Sequence, residues 1–232
     1  MTFALTPEET AAILISLRVA LTATLVSLPF GLAVAWLLAR KAFYGKALIE
    51  TLVHLPLVLP PVVVGTILMI ALGRNGPVGA FLADTFGFEF KSRWTGAALA
   101  AGVMGFPLLV RPIRLSLEAV DRGLEGAAAT LGASPAKVFL TVTLPLALPG
   151  LIAGTVLCFA RALGEFGATI TFAGAIPGET QTLATALGTL VQGTGLDVAA
   201  LRLIAAAILV SLAALVVSDW LARRAAMRLH GG

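Results

Sequence analysis

The stretch Leu124–Pro145 reads LEGAAATLGASPAKVFLTVTLP and separates two long apolar parts of the chain. Small residues dominate its first half, and its only charged side chains are Glu125 and Lys137. The whole chain is 59% hydrophobic and 12% charged, with a mean hydropathy of +1.00. In so apolar a chain, 22 consecutive residues rich in small side chains predict a segment that lies outside the membrane, in water, and has a specific function.

The composition indicates an integral membrane protein. Soluble domains carry roughly 25% charged residues, about twice the share found here. The net charge of +4 and the pI of 9.8 are explained better by membrane topology than by nucleic acid, so membrane lipid is the expected partner. A single cysteine, Cys158, excludes an intrachain disulfide and a cysteine-based metal site. Glu8 and Glu9 stand where a signal peptide needs basic residues.

Five apolar stretches reach the length that a membrane-spanning helix needs, about 20 residues. They cover residues 11–39, 51–72, 95–110, 146–163 and 203–221. The pattern predicts an all-α, multi-pass helix bundle that forms a single domain over residues 1–232. The connection between the fourth and fifth stretches contains Phe166–Ile176, which is apolar but too short to span. It is either a continuation of the fourth helix, a re-entrant piece or a sixth membrane-embedded segment.

The basic residues of the connections predict the orientation. Loops one and three and the C-terminal tail contain ten of them, whereas the other connections contain four. Lysine and arginine are enriched on the cytoplasmic side of membranes, so the N-terminus is predicted outside and the C-terminus inside. The ten cytoplasmic residues are Arg40, Lys41, Lys46, Arg111, Arg114, Arg122, Lys137, Arg223, Arg224 and Arg228.

Residues 116–145, which form the third loop, read as two short helices with a break between them. Residues 116–131 are compatible with a helix, and Gly132 can supply the left-handed residue that ends it. Ser134 is a good N-cap, and Pro135 suits the first position of the next helix. Two interpretations are open: a narrow helix that enters a groove on a partner, or an ordinary helical turn at the membrane surface.

The third loop resembles the loop by which the permeases of binding-protein-dependent ABC importers contact their ATPase. That family has a pattern of Glu-Ala-Ala, three residues, Gly, nine residues and Ile-x-Leu-Pro. Six residues here fall in register with it: Ala127, Ala128, Gly132, Val142, Leu144 and Pro145. The pattern's glutamate position holds Gly126, and Glu125 precedes it. The resemblance implies a coupling loop over residues 116–145 that contacts the ATPase through Glu125, Gly126, Ala127, Ala128, Gly132, Ala133, Ser134, Leu144 and Pro145.

Further blocks resemble the permeases of molybdate transporters. They are HLPLVLPPVVVG (54–65), FPLLVRPIRLSLE (106–118), TLPLALPG (143–150) and RALGEFGATITFAGAIPGET (161–180). The resemblance implies the type I ABC importer permease fold in a bacterial cytoplasmic (inner) membrane. It further implies a homodimer of permeases, two cytoplasmic ATPase subunits that bind ATP and Mg, and an external (periplasmic) molybdate-binding protein. Sulfate and tungstate, which are similar tetrahedral dianions, are the alternative substrates.

Two groups of residues are candidates for the translocation pathway or its gate. Pro56, Pro60 and Pro61 interrupt the second apolar stretch, and a broken helix is tolerated where its free carbonyls meet protein or water. The alternative is a kink needed only for packing. Arg161 and Glu165 share one helix face and form either an anion-attracting site or a structural pair. Phe166 and Gly167 follow them in the same block.

Motifs exclude other classes of function. The chain has no G-x-x-x-x-G-K-[ST] phosphate loop, so ATP hydrolysis is expected on a partner subunit and no cofactor is expected on this chain. A stand-alone secondary anion transporter is the alternative from another class, but no internal repeat supports it. The two histidines, His54 and His230, do not form a catalytic motif, so an enzyme is not expected.

Overall fold

The computed structural model describes residues 5–193 and 198–230, and every regular element in these two ranges is a helix. The first six are Pro7–Arg40 (α1), Lys46–Val58 (α2), Pro61–Leu72 (α3), Pro77–Phe86 (α4), Trp94–Ala119 (α5) and Arg122–Thr130 (α6). The next are Pro135–Val138 (α7), the π-helical turn Phe139–Thr143, Leu144–Leu146 (α8) and Leu148–Leu163 (α9). The last are Gly167–Phe172 (α10), Leu183–Gly193 (α11) and Val198–His230 (α12).

The longest helix, α1, begins with a complete capping box. The Thr6 hydroxyl accepts from Glu9 N–H, and the Glu9 carboxylate accepts from Thr6 N–H at 2.7 Å. This exchange satisfies two of the amide groups that a helix leaves unpaired at its start. The helix has 34 residues, and at about 1.5 Å each it is longer than the roughly 30 Å of a bilayer's hydrocarbon core.

The centre of the bundle is α5, which packs between α1 and α9 through small residues. A Cβ atom on Gly150 would lie 2.4 Å from the carbonyl oxygen of Pro112. One on Gly154 would lie 2.5 Å from the carbonyl oxygen of Leu109. Glycines four residues apart therefore bring the backbone of α9 directly onto α5, which is the close approach that small residues allow between membrane helices.

Polar contacts mark the two ends of the bundle. At one end Arg114 pairs with Glu50, and Gly150 N–H donates to the Ser116 hydroxyl at 3.1 Å. At the other end Arg202 lies 3.0 Å from Glu9. The end of α1, the start of α2 and residues 116–145 therefore share one end, whereas the start of α1 lies with the start of α12 at the other.

The second apolar stretch is not one continuous helix. It consists of α2 and α3, whose axes differ by 117° at the break. Pro61 cannot donate an amide hydrogen, and Pro60 holds a φ of −54° and a ψ of 135°, which ends the helix before it. A second bend, of 68°, lies at the start of the fourth stretch, between residues 135–146 and α9.

Two unbroken helices among the described residues, α1 and α5, are long and apolar enough to cross a membrane. The two bent pairs qualify too if each counts as one span. The helix that contains the third apolar stretch extends beyond the sequence bounds of 95–110, because α5 continues to Ala119. The segment 166–176 does not continue the fourth helix: α10 is a separate helix after a break at residues 164–166. The side chains of Arg223 and Arg228 lie outside the described part.

Candidate functional site

The first half of the coupling loop (residues 116–145) has the helix ends that its sequence predicts. Gly132 has a φ of +85°. Its N–H donates to the carbonyl of Ala129, and that of Ala133 donates to the carbonyl of Ala128. This is the paired bonding that commonly closes a helix at a left-handed glycine. Ser134 caps α7 by accepting from Lys137 N–H.

One local feature differs from the prediction. The residues 116–131, which sequence alone treats as one helix-compatible stretch, are divided at Val120 and Asp121. Asp121 is extended, and its carboxylate accepts from Gly123 N–H at 2.7 Å, so it caps α6. Aspartate is among the strongest N-cap residues. An aspartate at this position is a signal visible in the sequence, although no cap was predicted there.

The helix α6 turns most of its surface away from the bundle. None of its residues is buried, and only Glu125 and Ala128 are half-buried. Gly126, Ala127 and Ala129 are exposed, and a Cβ on Gly126 would meet no atom within 4 Å. Leu131, directly after the helix, is 89% exposed. The outward face of α6 is therefore built mainly from small residues. Its exposed large side chains lie near the ends, Arg122 and Leu124 at the start and Leu131 after the last turn.

Glu125 faces the opposite way. Its Oε1 accepts from Arg40 Nη2 at 2.7 Å and from the Thr143 hydroxyl at 2.5 Å. The sequence leaves open whether this carboxylate contacts the ATPase in place of the glutamate missing at Gly126. In the structure, Glu125 contacts its own chain at the end of α1 and in the π-helical turn.

The return of the coupling loop into the bundle is irregular. The π-helical turn Phe139–Thr143 leads into α8, where Leu144 and Pro145 are half-buried. Thr143 is 3% exposed. A π-helical turn is rare and often found at functional positions. Here it lies directly before the 68° bend at which α9 begins.

The structure brings two of the proposed pathway blocks together. A Cβ on Gly167 would lie 2.8 Å from the Cβ of Pro61, and one on Gly65 would lie 2.8 Å from the carbonyl oxygen of Ala168. The helices α3 and α10 are therefore in direct backbone contact. Pro60 lies at the break before α3, while Pro56 lies inside α2 and lines an apolar cleft beside α5.

Arg161 and Glu165 form an ion pair, with Arg161 Nη1 2.5 Å from Glu165 Oε2. Glu165 is 2% exposed, and its Oε1 accepts from Ala168 N–H at 2.8 Å. The carboxylate thus joins the end of α9 to the start of α10. Oε1 is hydrogen-bonded within the protein, and Oε2, which has no hydrogen bond, is buried with the Arg161 guanidinium as its ion-pair partner. This internal pairing favours the structural pair over an anion site. Phe166, which lies between α9 and α10, packs its ring against Gly188 of α11.

Known proteins resemble this chain along most of its length. A family described as "Binding-protein-dependent transport system inner membrane component" matches residues 27–230. The "Molybdenum transport system permease protein ModB" of Escherichia coli K12 is 57% identical over 94% of this chain and 96% of that protein. The protein of the same name from Haemophilus influenzae is 54% identical over 97% and 98%. The "Sulfate transport system permease protein CysT" of Salmonella typhimurium is 40% identical over 75% and 63%.

Solved structures share the fold. One chain comes from a bacterial ABC transporter involved in the import of the acidic polysaccharide alginate. It has a TM-score of 0.75 at 19% identity, over 95% of this chain and 80% of that chain. A chain of the MetNI methionine ABC transporter has a TM-score of 0.72 at 16% identity, over 92% and 94%. At these identities the likeness concerns the fold alone, which is the all-helical permease fold of ABC importers.

Proposed function

This chain belongs to the family of inner membrane components of binding-protein-dependent transport systems, and from this premise we propose that it is the permease subunit of an ATP-driven molybdate importer. The observation that supports molybdate as the substrate is the 57% identity to a molybdenum permease over nearly the full length of both chains. The sulfate permease is less similar and matches less of this chain. Sulfate and tungstate remain the alternative cargoes.

The proposed complex contains two copies of this chain, two cytoplasmic ATPase subunits and an external molybdate-binding protein. ATP and Mg bind to the ATPase, which carries out the hydrolysis. The outward face of α6 supports ATPase docking, because it combines small exposed residues with Leu131 at 89% exposure. A large hydrophobic side chain beside a narrow helix suits insertion into a groove on a partner. The residues that form this contact are Gly126, Ala127, Gly132, Ala133 and Ser134. Leu144 and Pro145 fix the position at which the chain returns from the loop into the bundle.

The proposed topology has five spans, with the N-terminus outside and the C-terminus inside. The shared end of α1, α2 and residues 116–145 supports it, because seven of the ten basic residues assigned to the cytoplasm lie in these elements or at the adjoining end of α5. The Glu9–Arg202 pair would then lie at the outer end. The domain is a single permease unit over the whole chain.

The proposed gate is the contact between α3 and α10. Discontinuous helices line substrate sites in other transporter folds, and the 117° break between α2 and α3 is of this kind. Pro60 and Pro61 fix the break, Gly167 permits the close contact, and Phe166 anchors α10 to α11. Pro56 belongs to the adjoining cleft. Arg161 and Glu165 hold α10 in position and do not bind the anion.

The test is the molybdenum content of cells that lack this chain, grown at trace molybdate with and without excess sulfate. We expect molybdenum to fall and to recover when the intact chain is restored, with no effect of added sulfate. Normal molybdenum together with impaired sulfate uptake would move the substrate to sulfate. Normal uptake of both anions would contradict the proposed function.

A further inference from the structure

A single side chain ties the outward helix of the coupling loop to the bundle through polar contacts. Among the residues described, Glu125 is the only side chain of α6 that forms a hydrogen bond or ion pair with another helix. The capping bond of Asp121 and the bond from the Thr130 hydroxyl to Ala127 stay within the segment itself. Apart from the chain connections to α5 and α7, Glu125 is therefore the polar link by which a displacement of α6 can reach the bundle.

One partner of Glu125 belongs to α1, and the other belongs to the π-helical turn that leads through α8 into α9. Arg40 is the last residue of α1, and its side chain is 11% exposed. Thr143 is buried and ends the π-helical turn, just before the bend into α9. The same carboxylate oxygen accepts from both. A displacement of Glu125 would thus act on α1 and on the start of α9 together.

We infer that Glu125 is a positioning residue that transmits movement of α6 into α1 and α9, and that it does not bind the ATPase. This inference rests on the proposed function. Charge-assisted hydrogen bonds are short and directional, so they carry a displacement that an apolar contact would lose by sliding. The π-helical turn offers a place where the backbone can adjust, because its hydrogen bonding departs from the regular α-helical pattern.

The experiment uses the complete transporter in liposomes: permease, ATPase and binding protein loaded with molybdate. ATP hydrolysis and molybdate uptake are measured on the same vesicles for Glu125→Ala, Arg40→Ala and the double variant. Co-purification of the ATPase is measured in parallel. Glu89→Ala is the matched control, because Glu89 also pairs with an arginine, Arg74 at 3.3 Å, but outside residues 116–145. If Glu125→Ala does not assemble, Glu125→Gln, which keeps the shape of the side chain, replaces it.

We expect each single variant to keep its ATPase while molybdate uptake per ATP falls about tenfold, the order of effect of losing one charge-assisted hydrogen bond. The double variant should be no worse than Glu125→Ala alone, because that single variant already removes the contact with Arg40. The Glu89→Ala control should keep the native ratio of uptake to ATP hydrolysis. A residue with a purely structural role would lower uptake and hydrolysis in proportion and leave the ratio unchanged.

Unchanged uptake per ATP in both single variants would overturn the inference and leave the proposed function standing. Loss of the ATPase from Glu125→Ala, Glu125→Gln and Arg40→Ala would also overturn it, since the contact would then serve docking. A native complex whose ATP hydrolysis drives no molybdate uptake would instead overturn the proposed function itself.

Discussion

The outward face of α6 and the contact between α3 and α10 both depend on glycine, for opposite reasons. At the α3–α10 contact a Cβ on Gly65 or Gly167 would meet atoms at 2.8 Å, so glycine makes room for close packing. Around Gly126 and Gly132 there is open space within 4 Å. There glycine keeps a surface narrow and sets a backbone turn. The first region packs within the chain, whereas the second is exposed and is the proposed contact with the ATPase.

The largest expected effect is at the Arg161–Glu165 pair, which holds α10 in this contact. Arg161→Met leaves a buried carboxylate without its counter-charge, and loss of one partner of a buried pair costs about 3 kcal/mol or more of stability. We expect a lower thermal midpoint of the permease in detergent. Adding Glu165→Gln to that variant should restore most of the loss, because the pair is then neutral. A destabilisation that persists in the double variant would show that the ion pair is not its cause.

The next effect is at the α3–α10 contact itself. Gly65→Val would place a branched side chain against the carbonyl of Ala168 and the Cβ of Thr171. Overpacking of this kind costs about 1–3 kcal/mol, measured as a fall in the free energy of unfolding. Gly126→Ala is the matched control, since its Cβ enters open space. Equal stability of the two variants would contradict the tight contact.

Gly132→Val should have the smallest effect on the stability of the permease and the largest effect on its assembly with the ATPase. A left-handed backbone costs a residue with a side chain about 1–2 kcal/mol, and the strain is local because no atom surrounds the site. We expect insertion into the membrane and the thermal midpoint to stay near native while co-purification of the ATPase is lost. If the variant still co-purifies with the ATPase, the assignment of residues 116–145 as the docking element is wrong.

The sequence predicted the coupling loop well where local chemistry decides the structure. A glycine after a helix predicts a left-handed end, and a serine before a proline predicts a capped start, and Gly132 and Ser134 have these conformations. The contact of Gly150 and Gly154 with α5 is of the same kind, since glycines four residues apart allow two helices to approach closely. Such features depend on a few neighbouring residues, and their physical cause is visible in the sequence.

The direction of Glu125 could not be predicted in this way. Its side chain is held by Arg40, 85 residues earlier, and by Thr143, 18 residues later. Which face of α6 meets the bundle depends on tertiary packing, which no local pattern specifies. The same holds for the 117° angle between α2 and α3. The prolines predict that the helix breaks, but they do not predict the direction of α3 after the break, where α3 packs against α10.

The most direct test of the docking assignment is the accessibility of the outward face of α6. A cysteine is placed at Ala127, on that face, or at Tyr44, which is exposed in loop one at the same end. Both variants carry Cys158→Ala. Labelling with a membrane-impermeant maleimide is compared in open membranes with and without the ATPase. We predict that the Ala127→Cys position reacts in the permease alone and is protected in the complex, while the Tyr44→Cys position reacts in both. Equal labelling at Ala127→Cys in a complex that retains its ATPase would contradict the account.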